Sequence, residues 1–144
     1  LLGHLLFERL QERVQGVAGM TLGADPLVSA VSLVSHLQGW PLPGCIVRKK
    51  AKGHGTNQYL EGMANFHSGD RIALLEDVVT TGGSVVTACE RIQEGGLDVV
   101  QIICILDREE GGREALQSQG YTLESIFTRA ELLRCGRPSG AMST

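Results

Sequence analysis

Residues 76–84 read Glu76-Asp77-Val78-Val79-Thr80-Thr81-Gly82-Gly83-Ser84 and follow directly on the apolar run Ile72-Ala73-Leu74-Leu75. An apolar strand, two carboxylates, a loop of hydroxyl residues and glycines, and then a helix are the parts needed to hold a sugar phosphate. Glu76 and Asp77, at a strand end, can accept hydrogen bonds from ribose hydroxyls. Val78 leads into the loop, where the N–H groups of Val79 to Ser84 and the hydroxyls of Thr80, Thr81 and Ser84 converge on a 5′-phosphate. The helix that follows turns its unpaired N–H groups and positive dipole end toward the same anion. Gly82 and Gly83 let the backbone approach phosphate oxygens closely. Two other phosphate loops are excluded: no Gly-Lys-Ser/Thr ending is present, and the acids precede the glycines instead of following them by roughly 20 residues.

A second segment carries Arg48, Lys49, Lys50, Lys52 and His54. Cations this dense repel one another unless an anion joins them, and a leaving diphosphate is such an anion. Lys52 and His54 lie two apart, so on an extended loop both can point one way. They are positioned to neutralise charge as a C1′–O bond breaks, with loop closure excluding water. A third segment, Asp107-Arg108-Glu109-Glu110-Gly111-Gly112, offers Arg108 as a bidentate partner for a planar carboxylate. Taken alone, it also reads as a surface turn with an internal ion pair. Gly23-Ala24-Asp25 offers backbone amides to a diphosphate, or is a plain helix-start turn.

The elements that must position these segments are legible in the apolar pattern. Leu5, Leu6, Leu10, Val14 and Val17 predict a helix over residues 3–15. Strands are expected at 17–20, 44–48, 70–75, 99–106 and 121–127, and helices at 26–38, 84–94, 113–120 and 129–133. Pro26 suits a first helical turn and Gly95-Gly96 a helix end. Residues 49–62 carry no apolar period and are expected to form a long exposed loop. Strand–helix alternation with a nearly all-apolar run at 99–106 predicts an α/β fold, a central mostly parallel sheet flanked by helices. In such sheets ligands bind beyond the carboxyl ends of the strands.

The 144 residues suit a single domain over 1–135, with a frayed tail at 136–144. With 42% hydrophobic residues and 4% aromatics, the core is filled by Val, Leu, Ile and Ala. A net charge of −3 gives no basic excess for nucleic acid. No apolar run approaches the roughly 20 residues of a membrane span, and the N-terminus lacks the pattern of a signal peptide. Cys45, Cys89, Cys104 and Cys135 match no zinc spacing, and the first three lie in apolar stretches. A reducing cytoplasm is the expected setting.

Together the three segments resemble the orotate phosphoribosyltransferases of bacterial, monofunctional type, within the type I phosphoribosyltransferase family. The resemblance runs from about Gly19 to Leu133. It implies the type I fold with a long mobile catalytic loop. The implied activity is Mg²⁺-dependent transfer of phosphoribosyl from phosphoribosyl diphosphate (PRPP) to orotate, giving orotidine 5′-monophosphate and diphosphate in pyrimidine biosynthesis. It implies a homodimer in which loop 49–62 is shared between subunits, and a Mg²⁺ held by diphosphate and ribose oxygens with no direct protein ligand. By position it implies catalytic roles for Lys52, His54 and Asp77. PRPP contacts are implied for Arg48, Lys49, Lys52, His54 and residues 76–84, and orotate contacts for Thr80 and Arg108. Family members carry an N-terminal segment that covers the base, and this chain, opening on Leu1, is expected to lack it. The competing readings are a phosphoribosyltransferase for another base, such as a purine, which would give Arg108 no carboxylate, and a non-catalytic PRPP-binding regulator of RNA, whose basic face is missing.

Overall fold

The computed structural model describes residues 1–55 and 58–136. Among them run α1 (Leu2–Phe7), β1 (Gly16–Met20), α2 (Asp25–Leu37), β2 (Gly44–Val47), β3 (Leu60–Glu61), a 3-10 turn (Met63–Asn65), β4 (Arg71–Val79), α3 (Gly83–Glu94), β5 (Asp98–Asp107), α4 (Gly112–Ser118), β6 (Leu123–Thr128) and α5 (Arg129–Cys135). The strands form one sheet in the order β3-β2-β1-β4-β5-β6, parallel except for the β2–β3 pair. The expected tail beyond Gly136 lies outside the described residues.

Alternation along the central strands sorts side chains to two cores. Ile72 and Leu74 of β4, with Ile102 and Cys104 of β5, meet Val85, Ala88, Cys89 and Ile92 of α3. Those four helix positions repeat at i, i+3, i+4 and i+7, the stripe an amphipathic helix buries. Ala73, Leu75 and Ile103 face the other way, against Leu27, Val28 and Val31 of α2 and Leu6 of the first helix. The helix α1 packs closely on α2 because Gly3 faces Ala30: a Cβ at Gly3 would lie 2.9 Å from that of Ala30. Burial pushes the thiols of Cys45, Cys89 and Cys104 up to about 12, so they are neutral core side chains.

Three elements differ from expectation. The first helix stops at Phe7, well short of residue 15, although Leu10 and Val14 are buried as the pattern requires. The cause is Gln101 of β5, whose side chain accepts from the Gln11 N–H at 3.0 Å and donates to the Arg9 carbonyl at 2.8 Å. A buried amide thus takes the backbone groups that a helix would have paired. Strand β4 runs on to Val79, past the expected end at Leu75. The supposed loop 49–62 ends in a short strand, β3, antiparallel to β2 through Ile46↔Glu61 and Val47↔Leu60. The helix α3 ends as expected. Gly96 has φ +87, with Leu97 N–H donating to Ile92 and Gly96 N–H to Gln93, the paired bonds of a Schellman stop.

The turn before α4 is locked to the turn before α3. A Cβ at Gly112 would lie 2.5 Å from Val79 Cγ1 and 2.7 Å from the Thr80 carbonyl oxygen. Helix propensity alone favours Ala over Gly at such a position by about 0.5–1 kcal/mol. The backbone collision outweighs it. Gly112→Ala is expected to lower stability by about 1–3 kcal/mol, seen as a lower urea midpoint with an unchanged m-value.

Candidate functional site

The sheet reverses its winding between β1 and β4: α2 leads outward to β2 on one side, and α3 leads to β5 on the other. Such a switch point opens a crevice at the carboxyl ends of the strands. Strand length deepens it. Pairing of β1 with β4 ends at Gly19↔Leu75, whereas β4 stays paired with β5 through Val79↔Asp107. Past Leu75, therefore, one edge of β4 has no strand beside it. A cleft of about 190 Å³ fills the gap, lined by Met20, Thr21, Gly23, Lys49, Glu76, Asp77, Val78 and Ser84.

Two backbone N–H groups here donate to the adjoining acids. The Asp77 N–H donates to Glu76 Oε1 at 3.0 Å, and the Val78 N–H to Asp77 Oδ1 at 2.8 Å. On a strand, consecutive side chains leave on opposite faces. Only at an open edge can both reach one cleft. Glu76 is buried and Asp77 half-buried. Burial, then the adjoining Asp77, pushes the Glu76 carboxyl up to about 8. Hydrogen bonding from Glu76 holds Asp77 below the usual aspartate range. The pair thus holds one proton near neutrality, on Glu76.

Opposite Asp77 sits the turn between β1 and α2. A Cβ at Gly23 would fall 2.3 Å from Asp77 Oδ2, so a larger residue there would push the carboxylate aside. Thr21 Oγ1 donates to Asp25 Oδ2 at 2.9 Å, and the buried Asp25 Oδ1 has no partner. On the far side, Gly82 has φ +87 and serves as the N-cap of α3, a position open to glycine and strained for other residues. The side chains of Thr81 and Ser84 and the backbone of Gly83 are exposed there, as an anion-binding loop requires.

The cationic segment is only partly in the cleft. Lys49 lines it. Arg48 Nη1 and Lys52 Nζ instead meet Glu61 Oε1 of β3, at 3.0 and 3.4 Å, and His54 is exposed. Lys52, then Arg48, hold the Glu61 carboxyl below its usual range. Sequence reasoning did not single out Glu61; its signal is an acid that closes a run of cations.

The third segment reaches the site through its backbone. The Arg108 N–H donates to the Val79 carbonyl at 2.9 Å, which sets this turn beside Thr80. The Arg108 guanidinium pairs with Glu110 at 2.9 Å, the internal ion pair that was one of its two readings. The turn is anchored by buried Asp107, which accepts from Arg113 Nη2 at 3.0 Å, Arg113 Nε at 3.2 Å and the Glu109 N–H at 2.9 Å. Neither Asp107 nor Arg113 was expected to matter.

Among the described residues no three His, Cys, Asp or Glu side chains gather as a metal cage. The hard carboxylate oxygens of Glu76 and Asp77 nonetheless suit a Mg²⁺ met through water, its own ligands coming from bound phosphate and ribose oxygens and water.

The chain matches the family model of the phosphoribosyl transferase domain over residues 17–125. It is 48% identical over 131 residues to the orotate phosphoribosyltransferase of Synechocystis sp., covering 91% of this chain and 66% of that protein. To the orotate phosphoribosyltransferase of Aquifex aeolicus it is 42% identical over 134 residues, covering 92% and 72%. The crystal structure of Mycobacterium tuberculosis orotate phosphoribosyltransferase in complex with PRPP superposes with a TM-score of 0.75 at 32% identity, covering 91% of this chain and 73% of that one. The chain therefore spans about two thirds of the length of the curated relatives it matches.

The proton on Glu76 gives the site a pH signature. The native protein holds this proton from the ordinary glutamate value of 4.5 up to about 8, and the unfolded chain does not. Native thus binds more protons than unfolded in that window, and stability falls as pH rises through it. Glu76→Gln is expected to flatten that fall and to exceed the parent in stability at the alkaline end. Urea midpoints measured across the window check this; an unchanged slope in the variant would assign the proton elsewhere.

Proposed function

The chain belongs to the phosphoribosyltransferase family, in its orotate branch, and from that premise we propose that it transfers phosphoribosyl from PRPP to N1 of orotate. The observation that carries the reading is the switch-point cleft, where two acids, the open start of α3 and Lys49 share one space. The acids accept from the ribose 2′- and 3′-hydroxyls. The amides and hydroxyls of residues 79–84 take the 5′-phosphate, with the positive end of α3 behind them. This fixes the sugar while its anomeric carbon changes partners: the C1′–O bond to diphosphate breaks, a bond to N1 of orotate forms, and the N1 proton is released to solvent.

The leaving diphosphate needs positive charge that grows useful as the bond breaks. Lys49 stands in the cleft, and Lys52 and His54 reach the diphosphate when their segment leaves Glu61. Glu76 and Asp77 would hold a Mg²⁺ through water, and when bound it would supply charge neutralisation at the diphosphate. Arg108 exchanges Glu110 for the orotate carboxylate, and Thr80 beside it completes the base site. Purines carry no such carboxylate, which favours orotate over a purine as the acceptor.

We further infer a homodimer in which the cationic segment of one protomer serves the cleft of the other. Supporting this, the cleft wall holds Lys49 without Lys52 or His54. A reducing cytoplasm suits the four free cysteines, and no helix among the described residues is long and apolar enough to cross a membrane.

The test is orotate loss with PRPP and Mg²⁺. Turnover of adenine or hypoxanthine in its place would overturn the base assignment. Lys52→Ala is expected to cut kcat by more than about tenfold while PRPP affinity changes less. Mixing inactive Lys52→Ala and Asp77→Asn proteins should restore activity, because one mixed site then keeps both groups. Absence of complementation, with dimer exchange verified, would place each loop over its own cleft.

A further inference from the structure

Arg91 ties the cationic segment to the rigid framework of its own chain. It lies on α3, eight residues beyond Gly83, on the helix whose start frames the phosphate loop. Its Nη1 donates to the Arg48 carbonyl, and its guanidinium carbon sits 4.0 Å over the Tyr59 ring. Arg48 and Tyr59 are the two ends of the cationic segment. The Arg48 N–H donates to the Tyr59 carbonyl at 2.7 Å, and the Lys52 N–H to that of Gln58 at 2.8 Å, which closes a stem below the cations. One side chain from a rigid helix therefore holds both ends of that stem, one by a hydrogen bond and the other by the face of a ring.

A guanidinium suits this task and an ammonium does not. Its plane lies flat on an aromatic ring while an edge N–H reaches a carbonyl. On the α3 side of the stem is a cleft of about 210 Å³ lined by Gln58, Tyr59, Leu60, Arg91, Glu94 and Gly95. Without Arg91 the stem has room to rock into it. Nothing else described ties Arg48 and Tyr59 together to α3: the Arg48 side chain turns instead to Glu61 of the neighbouring strand.

We propose that Arg91 is a positioning residue for the transfer reaction. It fixes the origin from which Lys52 and His54 swing toward the cleft they serve. The proposal rests on the transferase reading above. Arg91 touches no reacting atom, so its loss acts on turnover through the loop and leaves the sugar-phosphate floor intact.

Arg91→Ala is expected to lower kcat for orotate by more than about tenfold with PRPP affinity shifted less than about threefold. Methylguanidinium added to Arg91→Ala should recover part of the rate. Tyr59→Phe, which keeps the ring face, should match the parent, and Tyr59→Leu should resemble Arg91→Ala. A second readout needs no turnover: tryptic cleavage after Lys49, Lys50 and Lys52 should quicken in Arg91→Ala, because the stem opens more often. Parental kcat together with a parental cleavage rate would overturn the proposal. So would a fall in kcat matched by equal loss of PRPP affinity and of thermal stability without rescue, which marks Arg91 as structural only. If the parent consumes no orotate, the transferase reading falls alone, and the cleavage rates still decide whether Arg91 clamps the stem.

Discussion

Where pairing with β1 ends at Gly19↔Leu75 and β4 continues to Val79, four residues of a central strand lose their ladder partner on one side. Backbone N–H groups freed from a ladder need other partners. Here the Val78 N–H finds one in the Asp77 carboxylate, and the Asp77 N–H donates to Glu76. The same mismatch in strand length that creates the cleft therefore also demands polar side chains beside it. Much of the site follows from this. The acids are held by their own backbone, so they are oriented before a ligand arrives. The turn after β1 lies close to them, and Gly23 leaves the Asp77 carboxylate where it is. The open edge also lets consecutive carboxylates, which a paired strand would send apart, serve one space.

The surrounding turns are built to keep that notch in place. Gly82 and Gly112 bring the starts of α3 and α4 together at backbone contact. Asp107, buried at the end of β5, is braced by Arg113, which also donates to the Leu123 carbonyl and to Ser125 Oγ at 3.3 Å. A charged pair so well bonded contributes little net stability relative to an apolar pair, but breaking it is costly. Its effect is to hold the 107–112 turn to one shape beside Thr80. The cations are treated differently. They stand on a hairpin held by surface contacts to Glu61 and by Arg91, and exposed ion pairs of that kind are weak, about 0–1 kcal/mol. Rigid floor and easily released wall are thus distinguished by the strength of the bonds assigned to each.

Much of this was legible in residue order. Strand–helix alternation and the apolar run of β5 identified the parallel sheet, and Glu76 to Ser84 pointed to the strand end and helix start that line the cleft, because both signals are local. What the sequence concealed depends on contacts between distant residues. The early end of α1 follows from Gln101, ninety positions beyond Gln11. The length of β4 past Leu75 follows from β5, which pairs with it. Polar Glu76 and Asp77 look like a strand terminus because a carboxylate in a central strand is unusual; here the strand continues because its other edge is still covered. Glu61 and Arg91 were passed over for a similar reason. Each is an ordinary charged residue until the fold places it against the cationic hairpin.

The protonated Glu76 has a consequence for how a polyanion could approach. PRPP carries several negative charges, and two ionised carboxylates at the cleft floor would repel it along its whole path inward. With one acid neutral, half of that repulsion is withheld until the ribose is in place. On the proposed reading, hydroxyl groups then arrive as donors and favour the ionised form, so docking expels a proton to solvent. The full negative charge of the floor comes into being only once the sugar covers it. Binding of the substrate then becomes an acid-releasing event, coupled to ambient pH through a single buried side chain.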